Sequence, residues 1–183
     1  MGNDSTNAPC RPARSADFEG NLMTNLYERE DAYIPRVAAI HNLCGYGKCS
    51  LGVAIPVLSA AGCDVCPVPT GLFSSHTAFP GWYMHDTTDI LGDYLAAWAG
   101  IGVELDAVYS GFLGAPEQVD IIKQVWETYP GALRVVDPVM ADHGKVYPTY
   151  TPELVEAMGT LANGADILTP NLTEAAIILG RGW

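Results

Sequence analysis

Residues 36–69 read RVAAIHNLCGYGKCSLGVAIPVLSAAGCDVCPVP, and the order of patterns within them decides the fold. Arg36–His41 is an apolar run without polar alternation, as expected of a strand buried on both faces. It runs into a loop punctuated by Gly45 and Gly47. Residues 49–61 are small and apolar and predict a helix. Gly52 and Pro56 each count against it locally, yet they fit one another. The Pro56 ring would crowd the carbonyl of Gly52, where no side chain adds to the clash. Gly62 stops the helix, and Val65–Pro69 is the next strand.

The same alternation continues downstream. Residues 70–86 are rich in Ser, Thr, Gly and aromatics and predict a hairpin or flap in place of a crossover helix. Thr87–Ala99 is a helix, with Thr87 or Thr88 as N-cap and Gly100 or Gly102 closing it. Asp106–Ser110 is a strand. Pro116–Tyr129 is a helix with Pro in its first turn, and Val119, Ile122, Val125 and Trp126 fall at helical spacing. Leu133–Val136 is a strand ending at Asp137-Pro138. A helix over Thr151–Asn163, a strand over Asp166–Leu168 and a helix from Asn171 to Leu179 complete the series. Five strands alternating with helices argue for an α/β layered domain around a mostly parallel sheet. The last helix is followed by no strand before Trp183, so the sheet is expected to be incomplete at its C-terminal side.

Upstream, residues 1–35 show no sustained period and are rich in Asn, Ser, Ala, Pro and Arg. They are expected to form a disordered leader, with Met23 a candidate start. The two expected domains are therefore a leader, 1–35, and an α/β domain, 36–183. In the whole chain of 183 residues the apolar fraction is 49% and the formal net charge is −12. That composition supports a core and disfavours wrapping nucleic acid or lying on an anionic membrane. With only Lys48, Lys123 and Lys145 as lysines, phosphate handling would fall to backbone amides, a metal ion or one of these few cations. No apolar run reaches the ~18–20 residues of a membrane span. Five cysteines, an odd count without a secretory signal, point to reduced thiols in a cytoplasmic setting. Cys63 and Cys66 form a CxxC inside a strand pattern, with no second pair to complete a zinc site.

In open parallel sheets ligands gather beyond the carboxyl ends of the strands, and polar groups follow each strand here. They are His41, Asn42 and Gly45–Lys48; Ser74–Thr77; Ser110–Gly114; Asp137–Asp142; and Thr169–Glu174. Singly the motifs are weak. Gly45-Tyr46-Gly47-Lys48 lacks P-loop spacing and reads as a tight turn. Asp137 before Pro138 suits a turn-former as well as a water-mediated cation ligand. Asn171 and Glu174, three apart, suit a helix cap resembling a capping box as well as a ligand pair.

Taken in order, Gly45-Tyr46-Gly47, Phe73–Thr77, Ser110–Gly114, Val136–Met140 and Thr169–Glu174 resemble the pyridoxal/pyridoxamine kinases of the ribokinase-like superfamily. The resemblance runs from about Arg36 to Gly180 and covers the N-terminal half to two-thirds of such a kinase. The Asp137–Met140 block and Asn171-x-x-Glu174 are shared with hydroxymethylpyrimidine kinases, while Ser74–Thr77 favours the pyridoxal branch.

The resemblance implies a three-layer sandwich that transfers phosphate from ATP, with magnesium, to the 5′-hydroxymethyl group of a B6 vitamer. It implies that Thr77, and Asn42 less directly, contact the pyridine ring. It places Asp137, Asp142, Thr169, Asn171 and Glu174 on the ATP side, with Asp137 and Glu174 acting on magnesium largely through water. It further implies a cytoplasmic homodimer whose flap, with Phe73, Phe79, Trp82 and Tyr83, covers the substrate and meets the partner. The family's catalytic aspartate stands in a Gly-x-Gly-Asp motif, and none occurs in these 183 residues. No catalytic residue is thus expected within this chain, and the chain alone is expected to be inactive. The alternatives are a hydroxymethylpyrimidine kinase and a non-catalytic relic. Asn42 and Cys44 stand where related kinases often carry Asp and Ser, and Ala78 where Gly is common.

Overall fold

A computed structural model describes residues 33–181. Its first strand, β1, spans Arg36–Tyr46, followed by helix α1 over Leu51–Ala60 and strand β2 over Asp64–Ser75. A short strand β3, Met84–Asp86, precedes helix α2, Thr88–Gly100. Then come β4 (Ala107–Ser110), α3 (Pro116–Thr128) and β5 (Leu133–Val136). A small pair, β6 (Ala141–Asp142) and β7 (Lys145–Val146), leads to α4 (Pro152–Ala162), β8 (Ile167–Leu168) and α5 (Leu172–Ile178). These elements all belong to the unit Ile34–Trp183. The expected leader falls outside the described residues except for 33–35, which carry no helix or strand.

The main sheet has the order β3-β2-β1-β4-β5-β8, parallel throughout except for β3, which runs antiparallel to β2. The chain winds outward from β1 in both directions, so the topological switch lies between β1 and β4, where a crevice opens at the strands' carboxyl ends. Alternation along the strands divides the sheet's two faces. Ala38, Ile40, Val108 and Val136 lie in a core with Val119, Ile122 and Trp126 of α3 and Leu154, Met158 and Leu161 of α4. Val37, Ala107, Tyr109 and Val135 face the side covered by α1. Helices on both faces make the expected three layers.

Local chemistry accounts for most boundaries. The four α3 residues at helical spacing are all buried. In α1, Pro56 lies inside the helix, Gly62 has φ 89°, and the Cys63 amide bonds the Leu58 carbonyl in a Schellman closure. Thr151 caps α4 by accepting from the Leu154 amide. Thr87 precedes α2 but its hydroxyl does not cap it, correcting that expectation. It donates instead to the Pro69 carbonyl, and Asp86 accepts from the Thr88 amide.

Two strands are longer than predicted. β1 continues through Asn42 to Tyr46 and β2 through Thr70 to Ser75, paired beyond an irregularity at His41/Leu43. Residues 70–86 do form a hairpin, with Phe73 opposite Met84. Its base is fixed by fully buried Gln118, whose amide donates to the Thr70 carbonyl and the Thr88 hydroxyl while its oxygen accepts from the Gly114 amide.

Candidate functional site

Two cavities adjoin at the switch point. One, of about 310 Å³, is walled by Asn42 and Cys44 of β1, Cys49 and Ser50 before α1, and Phe73 of β2. His76, Thr77 and Trp82 of the hairpin tip, Phe112 after β4, and Tyr147–Thr149 complete it. The sequence puts Asn42 and Thr77 after two different strands, and both line this pocket. Asn42 is buried within β1, not in a loop, and its side-chain amide donates to the Cys44 sulfur at 3.4 Å. Thr77 is exposed at the end of the β2 extension. The aromatic walls are mutually braced: Phe73 meets Trp82 at 5.7 Å and Phe112 edge-on at 5.4 Å. The hairpin tip is tied to β1 by a bond from the His76 amide to the Tyr46 carbonyl.

The second cavity, of about 630 Å³, is a mostly apolar groove between α1 and the sheet. It holds Asp137 and Thr169 at its polar end, with His41 and Tyr109 nearby. Ser50 and Val139 line both cavities. His41 is buried, meets Tyr109 edge-on and lacks a partner for Nε2; burial lowers its pKa to about 4. Neutral imidazole is its state at physiological pH.

The remaining expected residues, Asp142, Asn171 and Glu174, line neither cavity and sit behind them. Asn171 and Glu174 make a full capping box at the start of α5. Asn171 Oδ1 accepts from the Glu174 amide, and Glu174 Oε2 accepts from the Asn171 amide. Both side chains do more than cap. Asn171 Nδ2 donates to the Ala141 carbonyl of β6, and buried Glu174 accepts from the Met140 amide through Oε1. Asp142 is exposed, its carboxylate engaged by the His143 amide.

These carboxylates feel one another. Burial, then the charge of Glu174, pushes Asp137 up to about 6. Tyr147 is raised by burial and then by Asp142, Glu174 and Asp137, which places that phenol amid the acidic cluster while it also lines the smaller pocket. Among the described residues no three or more His, Cys, Asp or Glu converge to hold a metal. A cation here would rest on two carboxylates with water and ligand oxygens, as magnesium bound beside polyphosphate does. Glu174, with both oxygens engaged, offers chiefly its charge.

Sequence reasoning missed the β6–β7 hairpin and the Tyr147–Thr149 wall that follows it. His143 and Gly144 both have positive φ, 49° and 76°, the backbone of a two-residue hairpin turn. Gly144 between two short polar-apolar segments was the available signal.

A family model described as phosphomethylpyrimidine kinase matches residues 57–182. The pyridoxal kinase PdxY of Paraburkholderia phymatum is 31% identical over 156 residues, covering 79% of this chain and 53% of its own. That of Proteus mirabilis is 37% identical over 135 residues, covering 65% and 44%. The chain thus spans about half the length of the curated relatives it matches. A Bacteroides thetaiotaomicron protein described as a phosphomethylpyrimidine kinase, crystallised with pyridoxal, superimposes with a TM-score of 0.79 at 40% identity over 82% of this chain and 54% of that one. Pyridoxal kinase from Lactobacillus plantarum does so with a TM-score of 0.78 at 32% identity, over 82% and 55%. The fold is the ribokinase-like sandwich, and on the match over residues 57–182 the chain belongs to the phosphomethylpyrimidine kinase family.

Proposed function

We propose that this chain carries the vitamer-binding side of an ATP-dependent pyridoxal kinase. The carrying observation is the joint placement of Asn42 and Thr77 in an aromatic-walled pocket of about 310 Å³, near the lower end of ordinary small-molecule sites. A pyridine ring with a ring nitrogen and hydroxyl substituents suits it. Phe73, Trp82 and Phe112 offer flat apolar walls, while Asn42 and Thr77 supply donors and acceptors that fix orientation. The weak bond from Asn42 to a thiol is readily exchanged for a better acceptor. The same pyridoxal ligand in the Bacteroides relative supports the reading.

Asp137, Asp142, Thr169, Asn171 and Glu174 form the nucleotide side in this proposal. ATP with magnesium would supply the phosphoryl group and neutralise its charge. Asp137 and Glu174 hold negative charge where a hydrated cation would sit, and Asn171 and Thr169 lie at the adjoining helix start and strand end. Tyr147 is the side chain between the two halves. The proton acceptor for the substrate hydroxyl is assigned to a Gly-x-Gly-Asp segment, which these 183 residues do not contain. The proposal also takes the enzyme as a cytoplasmic homodimer whose hairpin, with Phe79 and Tyr83 exposed, contributes to the subunit contact.

The test is pyridoxal binding by calorimetry with the parent and Thr77→Ala. Loss of one hydrogen bond of ~1 kcal/mol predicts weakening of several-fold, with nucleotide binding unchanged. Equal effects on both ligands overturn the assignment. The family model favours a second reading, phosphorylation of a hydroxymethylpyrimidine, and tighter binding of that pyrimidine in competition with pyridoxal would select it. The isolated chain should show no pyridoxal-dependent ATP consumption. Steady-state turnover abolished by Glu174→Ala would overturn the assignment of the base.

A further inference from the structure

The pocket contains a pair of groups that the proposed chemistry does not use. Cys44 at the end of β1 and Cys49 in the turn before α1 are both half-buried free thiols. Their sulfurs lie 2.9 Å apart, with the Cys49 thiol donating to Cys44. A disulfide bond is about 2.05 Å long, so the sulfurs need approach by less than an ångström. Among the described cysteines no other pair is in sulfur–sulfur contact of this kind; Cys63 and Cys66 remain separate free thiols despite their CxxC spacing.

The intervening turn is built to hold this approach. Gly47 has φ 84° and Ser50 φ 48°, conformations that fold residues 47–50 back on the end of β1. A Cβ at Gly47 would come within 2.9 Å of His76 Cβ, and one at Gly45 within 3.0 Å of the Ser74 carbonyl oxygen. The turn therefore lies directly on the segment leading to Thr77, and the bond from the His76 amide to the Tyr46 carbonyl joins the two. Cys44 itself is paired with Phe73 across the sheet and receives the Asn42 amide on its sulfur. Any change at the two sulfurs is thus passed to Asn42, Phe73 and the approach to Thr77.

We propose that Cys44 and Cys49 form an oxidative modification site, a reversible disulfide within the wall of the small pocket, with hydrogen peroxide as the oxidant. The Cys49 sulfur attacks one peroxide oxygen, giving a sulfenic acid and one water. The Cys44 sulfur then attacks the sulfenic sulfur, the S–S bond forms, and the sulfenic oxygen leaves as a second water carrying the remaining thiol proton. Burial pushes the Cys44 thiol up to about 12, which disfavours it as the group that meets peroxide; its part in the second step rests on the 2.9 Å between the sulfurs. The bond draws the turn inward and removes the thiol that Asn42 contacts, so the oxidised and reduced pockets differ in shape and polarity. The coupling to a ligand rests on the vitamer-binding reading above; the disulfide does not.

Peptide mapping of the full chain after peroxide treatment and alkylation tests this. Lys48 lies between the two cysteines, so trypsin separates them into different peptides that stay joined only through a disulfide. The expected result is a joined pair, lighter by two hydrogens, assigned by fragmentation to Cys44 and Cys49 and released by dithiothreitol. Cys63→Ser leaves it intact and Cys49→Ser abolishes it. If Cys49→Ser fails to fold, the map of the parent chain alone decides. Alkylation of both Cys44 and Cys49 after peroxide, their separate oxidation to sulfinic acids, or a bond joining either to Cys63 or Cys66 overturns the proposal. Saturating pyridoxal should slow formation of the bond several-fold. A bond that forms at the same rate with and without pyridoxal keeps the modification site and refutes the vitamer reading instead.

Discussion

Glu174→Gln separates the structural role from the proposed metal-side role of a buried carboxylate at the acidic end of the site. Glu174 is 3% exposed and accepts from the Met140 amide at 3.1 Å and the Asn171 amide at 2.9 Å, one through each carboxylate oxygen. Glutamine is nearly isosteric but keeps a single acceptor oxygen; its NH₂ must face one of the two amides. One N–H, buried at Met140 or part-buried at Asn171, is then left without a partner, at up to about 1–3 kcal/mol, and the other loses the charge-assisted part of its bond. The relief of Asp137 runs the other way. It is smaller, because burial precedes Glu174 among the causes of the Asp137 shift. The expected net effect is a fall in melting temperature at pH 7.5, at roughly 2–4 °C per kcal/mol for a chain of this size. It should be present in full in EDTA, and in the proposed reading it is no smaller in magnesium. Carbon-detected titration of the side-chain carboxyls should show Asp137 below its parent value of about 6 yet above 3.8, the ordinary value. Equal melting temperatures for parent and variant in EDTA, with a difference appearing only in magnesium, would refute the structural role. An unmoved Asp137 titration would refute the electrostatic coupling.

Asp137 also gives stability a pH dependence whose sign follows from its raised pKa. The folded chain holds this proton up to about 6 while the unfolded chain releases it near 3.8, so the group's contribution falls as pH rises between those values and is flat above them. Asp137→Asn should remove that slope, leaving the variant relatively more stable at pH 7.5 than at pH 4, by urea unfolding; an identical pH profile would contradict the burial of Asp137. Protons should also compete with magnesium there, so nucleotide binding in magnesium should weaken below pH 6 in the parent. Gly111→Ala would drive a Cβ into the His41 ring at Nδ1, with the ring buried against Tyr109. Overpacking of this kind costs about 1–3 kcal/mol, and unchanged stability would mean that the His41 ring is free to move.

The sheet was legible because its strands are apolar without alternation and its helices end at recognisable caps. The α3 stripe of Val119, Ile122, Val125 and Trp126 falls on the core as its spacing required. Local signals failed where pairing partners decided the conformation. Asn42–Tyr46 contains Gly45 and reads as a loop, yet it is strand because Leu43, Cys44 and Tyr46 pair with Leu72, Phe73 and Ser75 of β2. Thr87 has the chemistry of a cap, but the Pro69 carbonyl in a neighbouring strand competes successfully for its hydroxyl. Asn42 and Thr77 stand among the many polar groups that follow strand patterns, and the family resemblance singles them out; the structure places both on the small pocket. Tyr147, which stands between the pocket and the acidic cluster, follows a hairpin of only two residues per arm. Nothing periodic marks so short an element.

The spacing of Asn171 and Glu174 left a cap and a ligand pair as competing explanations, and the structure shows the cap in full. The capping box is what takes Glu174 out of water. Its bond to the Met140 amide then fixes that carboxylate beside the segment following β5. A buried negative charge so held acts on Asp137, which is itself drawn in by the turn at Pro138. Among the described residues neither carboxylate is in an ion pair, the pairs being Arg36 with Asp64 and His143 with Asp142. Two neighbouring carboxylates without a protein cation are costly when both are ionised, and one answer is to hold a proton, as Asp137 does up to about 6. The other is to hold a cation from solution, which gains whatever the proton gives up. A cap that serves the fold thereby sets Glu174 beside Asp137 at the carboxyl ends of the strands, where Asp137 holds a proton up to about 6 and where, in the proposed reading, a divalent ion would offset both charges at neutral pH.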